Sequence, residues 1–418
     1  MYKLAIILLV VSTACTTVVF ASDSLVTWNG EVRVRGEVDG RDFMHRTPPN
    51  LYTFLRTRIG AEVMPVKDVG VFIQLQDSRM FGQPLVPGAS NTNVNGKNID
   101  LHQGYLVVSD FLVPDLSVKF GRMELAYGDG RIVGVNDWGN VGRVFDGALF
   151  RYSADGHAAD LFVTDVVEYS LSPIPVSRSS VASLGSEGFL FSGVHYSNAV
   201  LRDHLFDLYG FHEWSHSSAS TSEVDRSRFT LGGRLRGETS GFTYSGEGAY
   251  QLGTQDMVDI SAFMLVGALG YVSDDFFVSS VTGGADYLSG TSTGSSKIRT
   301  FDPVFHSSHP TYGVLDYFTD IPTQTFGRGL LDVYLRIVLQ PLDELSISIE
   351  GHDFRLTKEY VGRKKLGREI SLVGTLAYNA AVIFETGAGV FLPDEIMEFE
   401  IGGSDPGWWG YGTVRVRF

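Results

Sequence analysis

The chain has 418 residues, a formal net charge of −15, 48 glycines, 12% aromatic and only 19% charged residues. That length suits two soluble domains or one large closed sheet, and low charge with abundant glycine and aromatics favours the sheet. The acidic balance argues against a general nucleic-acid binder, and the near-neutral mean hydropathy argues against a bundle of membrane helices.

Residues 1–21 read as a secretory signal peptide. Lys3 is a minimal positive region, residues 4–11 are an unbroken apolar run, and Val19-Phe20-Ala21 forms a small-residue cleavage site. The run is too short to span a bilayer, which takes about 20 residues. Cys15 is the only cysteine, and Ser12 stands where a lipid-attachment motif carries leucine. Cleavage after Ala21 therefore leaves an exported chain, residues 22–418, with no disulfide. A large hydrogen-bonded sheet is one other source of stability for such a chain. No later apolar stretch reaches the roughly 18 residues of a membrane helix.

From residue 25 onwards the dominant signal is a period of two. In residues 31–38 charged Glu31, Arg33, Arg35 and Glu37 alternate with valine and glycine. Leu51, Leu55, Ile59, Ala61 and Val63 face one way, and Arg56, Arg58 and Glu62 the other. Arg228, Thr230, Gly232, Arg234 and Arg236 alternate with Phe229, Leu231 and Leu235. The same holds for Thr243, Ser245 and Glu247, for Asp332, Tyr334 and Arg336, and for Ser346, Ser348, Glu350 and His352. A helix would spread these charges around its surface, whereas a strand gathers them on one face.

The pattern predicts about eighteen strands, near 25–38, 51–64, 69–78, 98–108, 115–121, 144–152, 157–167, 188–197, 203–214, 226–238, 241–252, 257–271, 276–289, 329–340, 344–356, 368–378, 381–391 and 408–418. Alternation is weakest between 98 and 200. Links after even-numbered strands are short and rich in turn formers, such as Pro65-Val66-Lys67-Asp68, Thr239-Ser240 and Asn379-Ala380. Links after odd-numbered strands are long: 39–50, 79–97, 122–143, 168–187, 215–225, 290–328, 357–367 and 392–407, with 253–256 the exception. A sandwich has no reason to alternate in this way. A transmembrane antiparallel β-barrel does, with short periplasmic turns and long extracellular loops. The chain ends in Val414-Arg415-Val416-Arg417-Phe418, alternation running into a terminal aromatic. Such an end suits delivery to the barrel-assembly machinery, while a soluble edge strand of this kind would be an aggregation hazard.

In a membrane barrel the apolar face meets lipid and the polar face lines the lumen. The expected lumen residues are Glu31, Arg33, Arg35, Glu37, Arg56, Arg58, Glu62, Arg228, Arg234, Arg236, Glu247, Asp332, Arg336, Glu350, Glu369, Glu385, Arg415 and Arg417. All basic members of this set are arginines, which hold carboxylates in bidentate fashion. They read either as cross-strand Glu–Arg ladders that stiffen the wall or as contacts for an anionic solute. Closure places Arg33 and Arg35 near Arg415 and Arg417. With Arg56 and Arg58 they form a cluster with few local acids.

Several segments carry a more particular signal. They are Gln74-Leu75-Gln76-Asp77-Ser78-Arg79, Asp100-Leu101-His102-Gln103-Gly104-Tyr105, and residues 119–134 running through Arg122, Glu124, Asp129 and Arg131. Asp137-Trp138-Gly139-Asn140 and Gly142-Arg143-Val144-Phe145-Asp146-Gly147 follow. Downstream come Phe301-Asp302-Pro303-Val304-Phe305 with His309, Tyr312, Gly313 and Asp316, and then residues 385–393. Together these resemble the alginate export family of outer-membrane proteins across essentially the whole mature chain. The resemblance implies an eighteen-stranded barrel whose arginine-rich lumen passes a polyuronate outwards, with an export scaffold in the periplasm as a partner. The interleaving of glutamate with the inward arginines departs from a strongly basic lumen, and fold transfers better than cargo.

Arg79, Arg122, Glu124, Asp129, Arg131, Asp137, Arg143 and Asp146 thus become candidates for a loop that narrows the channel. Either they brace that loop by ion pairs, or their arginines contact an anionic solute. Histidines give little chemistry. His212 and His216 have a zinc-like spacing, but on a strand they lie about 13 Å apart. No nucleophile–base pairing, phosphate loop or nucleotide fingerprint is present. The sequence therefore reads as an outer-membrane channel for an anionic saccharide or small organic solute, without catalytic, metal or cofactor site. Its partners are lipid, the assembly machinery and solute, with no nucleic acid. Polysaccharide export, substrate-specific uptake and, more remotely, an outer-membrane hydrolase stay open as readings.

Overall fold

Eighteen antiparallel strands follow one another around a single sheet in the computed structural model, which describes residues 25–44, 47–82, 97–167, 189–215, 225–273 and 277–418. The expected signal peptide with Cys15, His216, and residues 83–96, 168–188 and 216–224 lie outside the described residues. The strands are β1 (Val26–Gly40), β2 (Asn50–Val66), β3 (Val69–Gly82), β4 (Lys97–Val108), β5 (Leu116–Met123), β6 (Val144–Ala154), β7 (His157–Val167), β8 (Phe189–Asn198) and β9 (His204–Ser215). They continue as β10 (Arg226–Thr239), β11 (Phe242–Gln255), β12 (Val258–Val272), β13 (Val278–Leu288), β14 (Leu330–Leu342), β15 (Leu345–Tyr360), β16 (Arg363–Ala377), β17 (Val382–Pro393) and β18 (Gly407–Arg417). Two short helices, α1 (Ile321–Gln324) and α2 (Glu395–Ile401), lie in loops. Among the described residues no helix is long and apolar enough to cross a membrane.

Each strand pairs with its chain neighbours, and β1 also pairs with β18, so the sheet closes. All eighteen expected strands are present, including those between 98 and 200. Closure sets Arg33 opposite both Arg415 and Arg56, and Glu31 opposite both Arg417 and Arg58. The terminal residue locks this seam: Gly30 and Phe418 exchange backbone hydrogen bonds of 2.8 and 3.1 Å.

One expected loop is absent. The link placed at 357–367 is a two-residue turn, Val361-Gly362, because β15 and β16 run on well beyond the neighbouring strands. Both turn residues have positive φ, as does the Asp256-Met257 turn between β11 and β12. That backbone geometry matches the twist of the flanking strands and suits a hairpin.

The two faces differ as the alternation requires. Outward Ile59, Leu161, Leu265 and Leu335 are exposed, while inward Arg33 and Arg56 are at most 1% exposed. Glycine abundance has a packing reason. In cross-strand pairs Gly387–Tyr411, Gly232–Tyr209, Gly284–Tyr334 and Gly193–Phe211 the aromatic ring lies over the glycine. A Cβ on those glycines would come within 2.2–2.6 Å of the ring. Such pairs cover backbone that has no side chain and fix register.

The pairing predicts that Gly387→Val drives Tyr411 off its strand and breaks the Tyr411 Oη donation to Glu385 Oε1 (2.8 Å). The overpacking should cost about 1–3 kcal/mol. It should lower the temperature at which the folded barrel converts to its slow-migrating form on a heat-modifiability gel. Gly412→Ala, where a Cβ meets nothing within 4 Å, should leave that temperature unchanged.

Candidate functional site: a lumen narrowed by two inward loops

Two loops fold into the barrel and meet. The first, residues 124–143, joins β5 to β6; the second, residues 289–329, joins β13 to β14. They touch through a parallel bridge at Val133 and Phe305. Gly134 N donates to Phe305 O (2.9 Å), Phe305 N to Ile132 O (3.0 Å), and Ser307 N to Gly130 O (2.8 Å). Gly130 has φ +76°, a left-handed turn that glycine makes without strain. Arg143 clamps the junction, its Nη1 donating to the carbonyls of Gly134, Phe305 and His306.

The arginine cluster at the barrel seam holds the first loop. Arg33 Nη1 donates to Asp137 O (2.6 Å) and Arg33 Nη2 to Gly139 O (2.9 Å). Arg35 Nη1 donates to Trp138 O (2.7 Å), Arg56 Nη1 to Asp137 O (3.1 Å) and Arg58 Nη2 to Val141 O (3.2 Å). The Asp137 carboxylate lies 2.7 Å from Arg56, 3.2 Å from Arg58 and 3.9 Å from Arg415. Glu31 takes Arg56 (2.6 Å), Arg417 (3.3 Å) and Arg415 (3.7 Å), and Glu37 takes Arg35 (2.6 Å). The cluster that looked short of acids is thus met by a loop carboxylate and a row of carbonyls.

The second loop is held from the opposite wall. Arg228 forks onto Glu213 (2.6 and 2.8 Å) and reaches Asp302 (2.9 Å), while Gln251 Nε2 donates to Asp302 O (2.7 Å). Glu369 accepts from Val314 N (2.6 Å) and Leu315 N (3.2 Å). His309 Nδ1 donates to the Asp316 carboxylate (3.1 Å), and its ring stacks on Trp138 with centroids 3.6 Å apart, which ties the loops together a second time. Arg35 lies 3.8 Å from the same indole.

Part of the lumen face is apolar. Phe145, Phe162, Phe191 and Phe211 point inward from β6–β9 and are almost fully buried. They pack on Tyr127 of the first loop and Phe305 of the second. A loop that leaves water needs apolar surface to land on, and these rings provide it. Lys119 is also inward, 4.2 Å over Tyr105, so the lumen is not purely arginine on its basic side.

Below the loops, toward the short-turn rim, lies a cavity of about 570 Å³. Arg131, Arg234, Arg236, Arg336, Glu247 and Asp286 are among its lining residues. Arg131 is paired with Asp286 and lies 4.0 Å from Glu247, which accepts from Tyr209 Oη (2.7 Å). Arg234 takes Asp207 (3.0 Å), and Arg336 forks onto Glu350 (2.7 and 3.1 Å). Asp129 stays 3.9 Å from Arg131. Arg236 makes no ion pair among the described residues.

Three candidates are not brought to the constriction. Arg79 pairs with Asp77 on the outward face of β3, since inward Ser78 donates to Asn140 O (2.9 Å). Arg122 and Asp146 pair across β5 and β6 (2.8 Å) on the face shared with exposed Phe120. Glu124 does enter the lumen, 2.9 Å from His102 and 3.7 Å from Arg58. His212 faces outward, stacked on Phe229 and bonded to Ser227 (3.1 Å). No group of three or more His, Cys, Asp or Glu able to hold a metal occurs among the described residues. Asp286 escaped the sequence reading of the cavity wall, although the inward alternation of Thr282, Gly284 and Asp286 was there to be followed.

Two loop groups carry shifted ionisation. Burial opposes the charge on Asp137, but Arg56, Arg58, Arg33 and Arg415 outweigh it and hold the carboxyl well below the usual carboxylate range. Burial and then the neighbouring Arg143 press His306 down to about 3.

Comparison with known proteins now adds to the geometry. A family model described as alginate export matches residues 25–397. Similar solved structures include a BenF-like porin from Pseudomonas fluorescens Pf-5 (TM-score 0.64, 10% identity, 94% of this chain and 98% of that one). Others are OccAB4 of Acinetobacter baumannii (0.64, 9%, 94% and 98%) and the outer membrane protein opdK of Pseudomonas aeruginosa (0.61, 11%, 94% and 98%). At these identities they share the fold. No curated protein matches the chain.

Asp137→Asn should leave Arg56, Arg58 and Arg415 around a neutral amide. Loss of one buried partner costs about 3–5 kcal/mol, so the first loop should detach and single-channel current should become larger and noisier. His306 adds a pH dependence. With the loops released its imidazole titrates near 6.5, and with the loops seated near 3. The seated state therefore loses about 1.4 kcal/mol per pH unit as pH falls from 6.5 toward 3. Current noise should rise over that window, and His306→Gln should flatten the rise. A variant whose noise follows pH as the parent's does would rule this anchor out.

Proposed function

The chain belongs to the alginate export family, and on that premise we propose that its lumen passes a small carboxylate-bearing saccharide or organic acid by passive diffusion, with Arg236 as the contact group. Family and barrel together make the protein an outer-membrane channel for solute or polysaccharide passage. Its family and the porins it resembles are channels rather than enzymes. In such barrels the short-turn rim is periplasmic, so the 570 Å³ cavity is the periplasmic half of the route.

The commitment of the arginines carries the proposal. Arg33, Arg35, Arg56, Arg58, Arg143 and Arg228 spend their donors on loop carbonyls and carboxylates, and Arg131, Arg234 and Arg336 are paired. Arg415 and Arg417 share Glu31. Arg236 is left, and it lines the cavity together with Tyr334 and Thr282. A free guanidinium beside hydroxyls is what a carboxylated sugar needs. A cavity of this size fits one small solute.

Family membership favours a second reading, export of a polyuronate. It requires the two loops to part, because their backbones are bonded across the lumen. Signal-peptide cleavage near Ala21, recognition of Phe418 by the assembly machinery and a periplasmic scaffold complete the proposal. Neighbouring genes would separate the directions, polymerases marking export and catabolic enzymes with an inner-membrane transporter marking uptake.

In planar bilayers under a salt gradient, Arg236→Gln should reduce anion preference, and glucuronate should block the parent channel briefly but not the variant. Passage of a long polyuronate through a channel whose selectivity ignores Arg236 would instead favour export.

A further inference from the structure

The β15–β16 hairpin gathers basic side chains densely. Residues 353–368 hold six basic side chains, Arg355, Lys358, Arg363, Lys364, Lys365 and Arg368, against two acids, Asp353 and Glu359, in a chain of net charge −15. Three of the eight lysines of the sequence fall in these sixteen positions. The hairpin stands at the long-loop rim, where β15 and β16 run past their neighbours to the Val361-Gly362 turn.

Register sorts these groups by face. Asp353 pairs with Arg368 and Arg355 with Lys365, so the four share one side of the sheet. That side is the outward one, because Phe354, His352 and Glu369 point into the lumen and are buried. Asp353 serves both arginines, at 2.5 Å from Arg355 and 3.6 Å from Arg368. Lys364 and Lys365 make no ion pair among the described residues. At the start of α2, Asp394 stands near enough to Arg355 to act on its charge, and no ion pair joins it to Lys365 or Arg368 among the described residues. Glu395 is engaged by Arg363 (3.7 Å), and Ile396 and Met397 turn that helix toward the luminal cluster.

Directly below the charges lies the apolar band. Ile370 is 62% exposed and Leu372, next on the same face of β16, is also exposed. Leu392, the cross-strand partner of Arg368, is exposed as well. Two arginines that share Asp353, with the unpaired Lys365 beside them, thus cap a strip of lipid-facing aliphatics. A water-soluble anion would use the charges and leave the strip unexplained. A lipid uses both, with arginine forking onto phosphate oxygens and long side chains reaching up from the bilayer edge.

We propose that this face binds an anionic lipid of the outer leaflet. Its phosphorylated headgroup sits among Arg355, Lys365 and Arg368, and its acyl chains lie on Ile370, Leu372 and Leu392. The site stands on the outer wall and is independent of the solute route.

The test is native mass spectrometry of the purified full-length barrel in detergent, with diphosphoryl lipid A, phosphatidylcholine or inorganic phosphate added. Lipid A should bind in preference to phosphatidylcholine, and inorganic phosphate at equal concentration should not displace it. The triple variant Arg355→Gln, Lys365→Gln and Arg368→Gln should weaken lipid A binding about ten-fold or more, with bilayer conductance unchanged. Asp353→Asn alone removes the carboxylate paired with both arginines and should strengthen binding. It gives a reading even if the triple variant assembles poorly. Unchanged lipid A affinity in the triple variant, no gain with Asp353→Asn, or displacement by inorganic phosphate would each overturn the proposal.

Discussion

A loop that enters the lumen of a barrel leaves water with its carbonyls unpaired, and each buried carbonyl needs a donor. That requirement organises this molecule. Arg33, Arg35, Arg56 and Arg58, from two adjacent strands, supply donors to the carbonyls of residues 137–141. Arginine suits the task because one planar group serves several acceptors and keeps its charge under burial. The charge then needs an answer of its own, and Asp137 brings it on the same loop. Neither half is stable without the other, since the cluster without Asp137 is a buried excess of cations and the loop without the cluster is a buried row of carbonyls.

The same requirement explains why the seam of the barrel matters. Strand β18 meets the β1–β2 hairpin only because the sheet closes, and Phe418 fastens that closure. Strand pairing therefore precedes the constriction, which depends on arginines drawn from both ends of the chain. The second loop uses the opposite wall, through Arg228, Gln251 and Glu369. Arg143 and the Trp138–His309 stack join the two loops, so the constriction is a bridge with footings on both sides.

The sequence showed the barrel because a strand with water on one side and lipid on the other repeats every two residues. Where that contrast weakens, the pattern is fainter, although every expected strand is present. On β6–β9 the lumen face carries Phe145, Phe162, Phe191 and Phe211, and apolar residues then stand on both faces, as in Phe189-Leu190-Phe191. The weak alternation between 98 and 200 was a sign of the luminal aromatic bed and not of poor strands. The loop at 357–367 was misread for the converse reason, since polar residues on both faces of an extended hairpin resemble a loop. The inward arginines were legible as a set, but their partners were not. A carbonyl leaves no mark in a sequence, and Asp137 reaches the seam only through tertiary folding. Arg79 and Arg122 were placed in the constriction by motif alone, and strand parity turns both outward.

Net charge and arginine count are both poor guides to what this lumen attracts. A guanidinium bonded to a carbonyl and a carboxylate has lost most of its reach, because its field is answered within a few ångströms. The effective charge of the route is set by the groups left over after the loops have been fastened. By that measure the seam, with its six arginines, contributes little, and the proposed solute contact falls to Arg236 in the open cavity. On the outer wall the reasoning runs the other way. Lys365 and the two arginines around Asp353 stand where no loop carbonyl comes to meet them. Their charge remains available to whatever lies beside the barrel. In this protein position relative to the folded loops, more than residue type, decides which cations hold the structure and which remain open to a ligand.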